Sequence, residues 1–384
     1  LHDALPISGF CEDGTCCMTQ CNVPCMSCAN AQGTCTTFVA QWEEDPNGDP
    51  PCMAPDVCDG IGTCCENASQ EVEQMPVDII FVIDNSGSMT DEIMAVQDNI
   101  NNNFASIIAA SGLDYRVIMV SEHGEAYPNE SICVSAPLSG TSCSPSAPSQ
   151  PVNNPPIFYH FSYPIYSHDS LEKLLHTFSG VSDQFSFSSD GWHVWLRPNS
   201  FKVFVEITDD GSSSSWGGYS FHDSDSVSGG ITAGNNFDQA LLSLSPSHFG
   251  STTHRNYRWY SIVCMAQNNP STAPWLPSDP ITSSECGSDC ADPGTAYQQI
   301  SKITGGLRFP LCVYDHFDVV FNDIADNVVT SMACQYGVPS NVNPDEVSLR
   351  FTPSSGPAQD WQRVMTSGDC TGNQWYYDNN TNPS

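Results

Sequence analysis

The run Val77-Asp78-Ile79-Ile80-Phe81-Val82-Ile83 constrains this chain more than any other stretch. All but Asp78 are apolar, and most are β-branched. Such a run reads as a strand buried on both faces, the kind found inside a parallel sheet. It stops at Asp84-Asn85-Ser86-Gly87-Ser88. A buried strand that ends in a polar, glycine-containing loop places oxygen ligands at the carboxyl end of a sheet. Asp84, Ser86 and Ser88 alternate, so their oxygens can converge on one hard cation such as Mg²⁺. The plain rival is a Ser/Gly turn after a strand.

A second core strand, 201–207, ends in Thr208-Asp209-Asp210-Gly211. Between the two, Thr90 can cap a helix with Asp91 and Glu92 in its first turn. Ile93, Val96, Ile100, Phe104 and Ile107 continue that helix, and Gly112 stops it. Residues 115–120 form the next strand. Strand–helix–strand order indicates a parallel sheet with helices on its faces. Further along, 157–163 reads as a short edge strand, 171–178 as a helix and 191–196 as a helical turn. A Ser/Gly/Asp loop over 211–236 precedes a helix at 237–244 and a strand at 257–265. The pattern closes with a helix at 295–303, a strand at 307–311 and an amphipathic helix through Phe317, Val320, Phe321, Ile324 and Val328. The expected fold is α/β: a doubly wound, mostly parallel sheet flanked by helices over 77–334. A small disulfide-rich module precedes it and a short β appendage follows.

The two acid-tipped strands resemble the metal-ion-dependent adhesion site of von Willebrand factor type A domains. The first motif of that family is Asp-x-Ser-x-Ser, and its central strand ends in Thr-Asp-Gly. The resemblance covers about 77–334 and implies a Rossmann-like fold. It implies cation ligands at Asp84, Ser86, Ser88 and Asp209, with Mg²⁺ (or Mn²⁺ or Ca²⁺) bound. It also implies a protein partner that offers a carboxylate to the cation. The family's remaining ligand is a loop threonine in a Gly-Gly-x-Thr pattern, which this chain lacks. Ser186, Ser188, Ser189 and Asp190 occupy that region. Either the site is incomplete and weaker, or Asp190 or Ser189 stands in. Asp223 and Asp225 mark either a second cation site or a solvated loop, and their spacing matches no full calcium loop.

Of 19 cysteines, eleven lie between Cys11 and Cys65 and eight between Cys133 and Cys370. That density implies disulfides and an oxidising compartment. Residues 10–65 hold too few apolar side chains to fold without cross-links. They resemble the short Cys-Cys-containing repeats of large bacterial surface proteins. A zinc site at Cys25-x-x-Cys28 is the rival, although the module contains no histidine. In the large domain, a local Cys133–Cys143 bridge is the simplest pairing. Residues 66–76 read as a linker. Residues 335–384 read as a small β appendage with runs at 347–351, 362–365 and 374–377; it contains Cys370, and truncation there would explain the odd cysteine. Residues 1–9 are set aside as a leader that resembles translated adapter read-through, with an export signal or anchor expected upstream. No run of about 18 apolar residues is present to span a membrane. The expected location is extracellular or at the cell surface.

Lys and Arg total 10 against 44 Asp and Glu, for a formal charge of -34. That balance repels phosphate backbones, so nucleic-acid binding is not expected. The chain carries no Gly-x-Ser-x-Gly elbow, His-Glu-x-x-His helix or phosphate-binding Gly-x-x-x-x-Gly-Lys loop. His160, His168, His176, His193 and His222 are scattered without a nucleophile motif. Trp192 and Trp195 read as core packing. The expectation is therefore an exported, cation-dependent, adhesion-type binding domain and not an enzyme. The alternative is a disulfide-braced structural surface protein with a degenerate metal site.

Overall fold

The computed structural model describes residues 75–287 and 290–332, together with short stretches nearer each terminus, among them 10–12, 25–27, 57–58, 348–351, 357–365 and 374–375. The expected leader 1–9, most of the 66–76 linker, the boundary at 334 and Cys370 lie outside the described residues. The chain divides into two compact units, Leu1–Glu73 and Gln74–Ser384.

In the second unit, six strands form one sheet. They are β1 (Val77–Ile83), β2 (Tyr115–Ser121), β3 (Phe158–Ser162), β4 (Phe201–Thr208), β5 (Tyr257–Val263) and β6 (Arg308–Pro310). The order across the sheet is β6-β5-β4-β1-β2-β3, and every pairing is parallel. The chain therefore builds outward from β1 to β3, crosses back, and builds outward again from β4. The seam between β1 and β4 is the switch point of a doubly wound sheet.

Helices cover both faces. α1 (Thr90–Asn99) runs through a π turn at Ile100–Ala105 into Ser106–Ala110. With α5 (Phe317–Met332) it covers one face. α2 (Ser170–His176), α3 (Val227–Leu244) and α4 (Thr295–Thr304) cover the other. Alternation along β1 explains its composition. Ile79, Phe81 and Ile83 pack with Phe104 and Phe321 on the first face, while Ile80 and Val82 pack with Phe204 and Phe237 on the second. Trp192 is fully buried in that second core. Asp78, the one acid in the run, is buried at the opposite end of β1 from the loop. Its carboxylate is held by Arg197 Nε (2.7 Å) and the Arg197 amide (2.7 Å).

Two local readings are corrected. Thr90 is the first helical residue, not the cap; its hydroxyl donates to Glu130 Oε1 at 3.4 Å. α3 begins at Val227, ten residues before the expected start, with Ser226 Oγ accepting from Gly229 N. Its glycines read as loop because they weaken a helix. They are there for contact. A Cβ at Gly230 would lie 2.5 Å from Thr295 Cβ, and one at Gly234 would lie 2.8 Å from the Ala296 carbonyl. Small residues let α3 approach α4 closely.

Cys133 is bonded to Cys143, and two further bridges join Cys264 to Cys290 and Cys286 to Cys312. Near the C-terminus, Leu349–Phe351, Gln359–Arg363 and Gln374–Trp375 form a three-stranded sheet. In the first unit, short antiparallel pairs include Met26–Ser27 with Thr37–Phe38 and Val57–Cys58 with Cys64–Cys65. Cys25 is bonded to Cys58, and Cys52 is also disulfide-bonded. Cys25 is thus a bridge residue and not a zinc ligand. No helix among the described residues is long and apolar enough to cross a membrane.

Candidate metal centre

β1 and β4 lie side by side and end together, so the residues that follow them meet. Asp84 N still donates to Ile207 O at 3.0 Å, which pins the first loop residue to β4. The Asp84 carboxylate takes two hydrogen bonds. Oδ1 accepts from Ser86 N at 2.7 Å, and Oδ2 accepts from Thr208 Oγ1 at 2.8 Å. The first bond closes an Asx-type turn that folds the loop back over the strand end. Ser86 Oγ then lies 3.3 Å from Ser88 Oγ and 3.5 Å from Asp209 Oδ1. The four residues expected from sequence are therefore together in space. Asp84 and Asp209 are almost fully buried, while Gly87 and Ser88 are exposed and form the open side.

Asn85 is the residue that sequence patterning passed over. Its amide donates to Ile165 O at 2.7 Å and its Nδ2 to Glu130 O at 2.7 Å. Its Oδ1 accepts from Ser121 Oγ at 3.0 Å and from Glu122 N at 2.7 Å. One side chain thus ties the cation loop to the β2 end and to two neighbouring loops.

Asp210 joins Asp84 and Asp209 in one cluster of carboxylate oxygens. Burial, then the charge of Asp209, pushes the Asp84 carboxyl up to about 7, against the hydrogen bond from Thr208. Burial likewise raises Asp210 to about 6, with Asp209 and Asp292 adding to it and Ser167 and His168 opposing. Three carboxylates thus share a pocket among the described residues without a Lys or Arg ion pair to any of them. Among the described residues the basic side chain beside them is His168, whose Nδ1 lies 4.0 Å from Asp210 and 3.8 Å from Asp292. Burial pulls the His168 imidazole down, but the Gly211 carbonyl and the charges of Asp210, Asp292 and Asp84 more than offset that and raise it.

Ser189 and Asp190 are elsewhere. Asp190 Oδ1 accepts from Gly180 N at 2.7 Å, within the loop that follows α2, and both residues are exposed. The third loop to reach the centre is the β3–α2 connection, through Ile165, Ser167 and His168. Asp223 is not a solvated loop residue. It is fully buried, and its Oδ2 accepts from Thr295 Oγ1 at 3.1 Å and Ala296 N at 3.2 Å at the start of α4. Asp225 is exposed. Among the other histidines, His160 is buried and its imidazole is lowered to about 3, so it is neutral.

Hydroxyl and carboxylate oxygens are hard donors, which suit Mg²⁺, Mn²⁺ or Ca²⁺ and not a thiophilic ion. Cys264, Cys286 and Cys290 also cluster closely enough for a metal, as do Cys25, Cys52 and Cys58. All six are consumed in disulfides. No protein-family model, curated protein or solved structure matches the chain at a significant level.

Proposed function

We propose that the chain is an exported binding protein whose large domain holds a divalent cation at Asp84, Ser86, Ser88 and Asp209 and engages a partner protein through it. The observation that carries this is the convergence of two buried, mutually repelling carboxylates with two hydroxyls at the β1/β4 switch point. A site that buries negative charge without a Lys or Arg ion pair is one that a cation completes. When bound, the cation supplies an electrophilic contact for an oxygen of the partner, such as a carboxylate. The protein's part is to hold the ligands. Thr208 and Ser86 fix the Asp84 carboxylate, Asn85 fixes the loop, and the exposed Gly87–Ser88 edge leaves an approach from solvent. The strand order and the two acid-tipped strands support kinship with type A domains. The disulfides in both units support an oxidising, extracellular location. The role is binding and not catalysis.

A scaffold reading is favoured by one observation: Asp190 and Ser189 do not complete the ligand set. In that reading Asp84 stays protonated and the domain is a disulfide-braced structural element. Calorimetric titration of Mg²⁺ and Mn²⁺ into the oxidised protein separates the two. The binding reading expects one-site uptake that Asp84→Ala and Asp209→Ala each abolish. Heat signals that survive both substitutions, or none in the wild type, would leave the scaffold.

A further inference from the structure

Two disulfides lie side by side at the carboxyl end of β5, next to the metal centre. Cys290 Sγ, bonded to Cys264, is 3.2 Å from Cys312 Sγ and 3.4 Å from Cys286 Sγ. The parallel register of β4 and β5 runs through Thr208 opposite Val263. Asp209 and Cys264 are therefore the next residues on neighbouring strands, each one step past the ladder. Beyond the ladder, the Asp209 carbonyl is held by a different segment. Ala291 N donates to it at 3.2 Å and Asp292 N at 3.3 Å. Those two amides directly follow Cys290. The Asp292 carboxylate also accepts from Gly211 N at 3.5 Å, on the far side of Asp210. A connected path thus starts beside Asp209 at Cys264, passes through the covalent bridge to Cys290, and returns to Asp209 through two hydrogen bonds. The second bridge anchors the same segment to Cys312, in the turn that leads from β6 into α5.

We propose that the Cys264–Cys290 bridge, backed by Cys286–Cys312, is the positioning element of the cation site. It holds the Ala291 and Asp292 amides against Asp209, which fixes the Asp209 backbone and so the carboxylate that lies 3.5 Å from Ser86 Oγ. Ligands held in place before the ion arrives bind it without an ordering cost. The inference rests on the cation reading above. Cys264 and Cys290 never touch the ion; their effect passes through the strap.

The test compares Cys264→Ser/Cys290→Ser with Cys133→Ser/Cys143→Ser, which removes the bridge in the β2–β3 connection, in the full oxidised chain. Mn²⁺ is the probe, titrated calorimetrically at low temperature, with circular dichroism to verify folding. Both double variants are expected to lose thermal stability. Only the first is expected to bind Mn²⁺ at least tenfold more weakly. A second variant, Ala291→Pro, deletes one strap donor while keeping every bridge, and it should weaken Mn²⁺ binding at least threefold. Affinities within twofold of wild type in the folded Cys264/Cys290 variant, or in Ala291→Pro should the former not fold, would overturn the proposal. A wild type that takes up no Mn²⁺ would instead sink the cation reading, and this inference with it.

Discussion

At the scale of single residues, a costly group among the described residues is Glu206 on β4, which faces the second core. It is fully buried, and neither carboxylate oxygen has a hydrogen-bond partner. Burial drives its carboxyl well above the ordinary range; the Ser170 hydroxyl, which also pairs with Tyr297 Oη at 2.9 Å, opposes this, and the charges of Asp84 and Asp169 add to it. The folded state therefore holds a proton that the unfolded chain releases near its ordinary value of 4.5. Where the folded state binds more protons, stability falls as pH rises. The loss begins near the unfolded value and continues upward until the folded group ionises. Glu206→Gln keeps the shape and removes the titration. Its thermal midpoint should match wild type near pH 4 and exceed it by several degrees at pH 8, read by scanning calorimetry across that range. A difference that stays constant with pH would show that Glu206 does not titrate in this window.

At the scale of elements, α3 and α4 show how far a sequence carries and where it stops. A Cβ at Gly230 meets Thr295 at 2.5 Å, far inside contact distance, while one at Gly87 meets nothing within 4 Å. Gly230→Ala gains about 1 kcal/mol of helix propensity but overpacks an interface, which costs roughly 1–3 kcal/mol or more. Urea unfolding should therefore show Gly230→Ala destabilised and Gly87→Ala near wild type. The same glycines concealed the first ten residues of α3, because propensity reads a local preference and the close contact with α4 is a tertiary fact. β1 and β4 were legible for the opposite reason. They are buried on both faces, so composition alone marks them, and their acid tips follow in the next residue. The third loop was not legible. Ser189 and Asp190 lie in the chain segment that the family pattern points to, yet the β3–α2 connection is what topology brings to Asp210. Asn85 escaped notice because its value lies in joining four partners far apart in sequence.

At the scale of the molecule, a charge of -34 sets the background against which any cation effect is measured. Acidic side chains repel one another, and any salt relieves that repulsion by screening within a Debye length of about 10 Å at 0.1 M. A rise in thermal midpoint with MgCl₂ alone would therefore say nothing about a site. Screening depends on ionic strength, whereas site binding depends on ion identity and on Asp209. A site filled to about 100 times its dissociation constant adds about 2.7 kcal/mol. For a domain of this size that is on the order of 5 °C. The expected result is that MgCl₂ raises the midpoint by that amount above KCl at equal ionic strength, and that excess chelator returns it to the KCl value. Asp209→Ala should keep the KCl increment and lose the Mg²⁺ increment. If MgCl₂ and KCl coincide in the wild type, the acidic surface accounts for the whole salt response and the β1/β4 centre takes up no Mg²⁺. If they differ but Asp209→Ala leaves the difference intact, the ion binds among the other acidic groups and the switch-point centre is not its site.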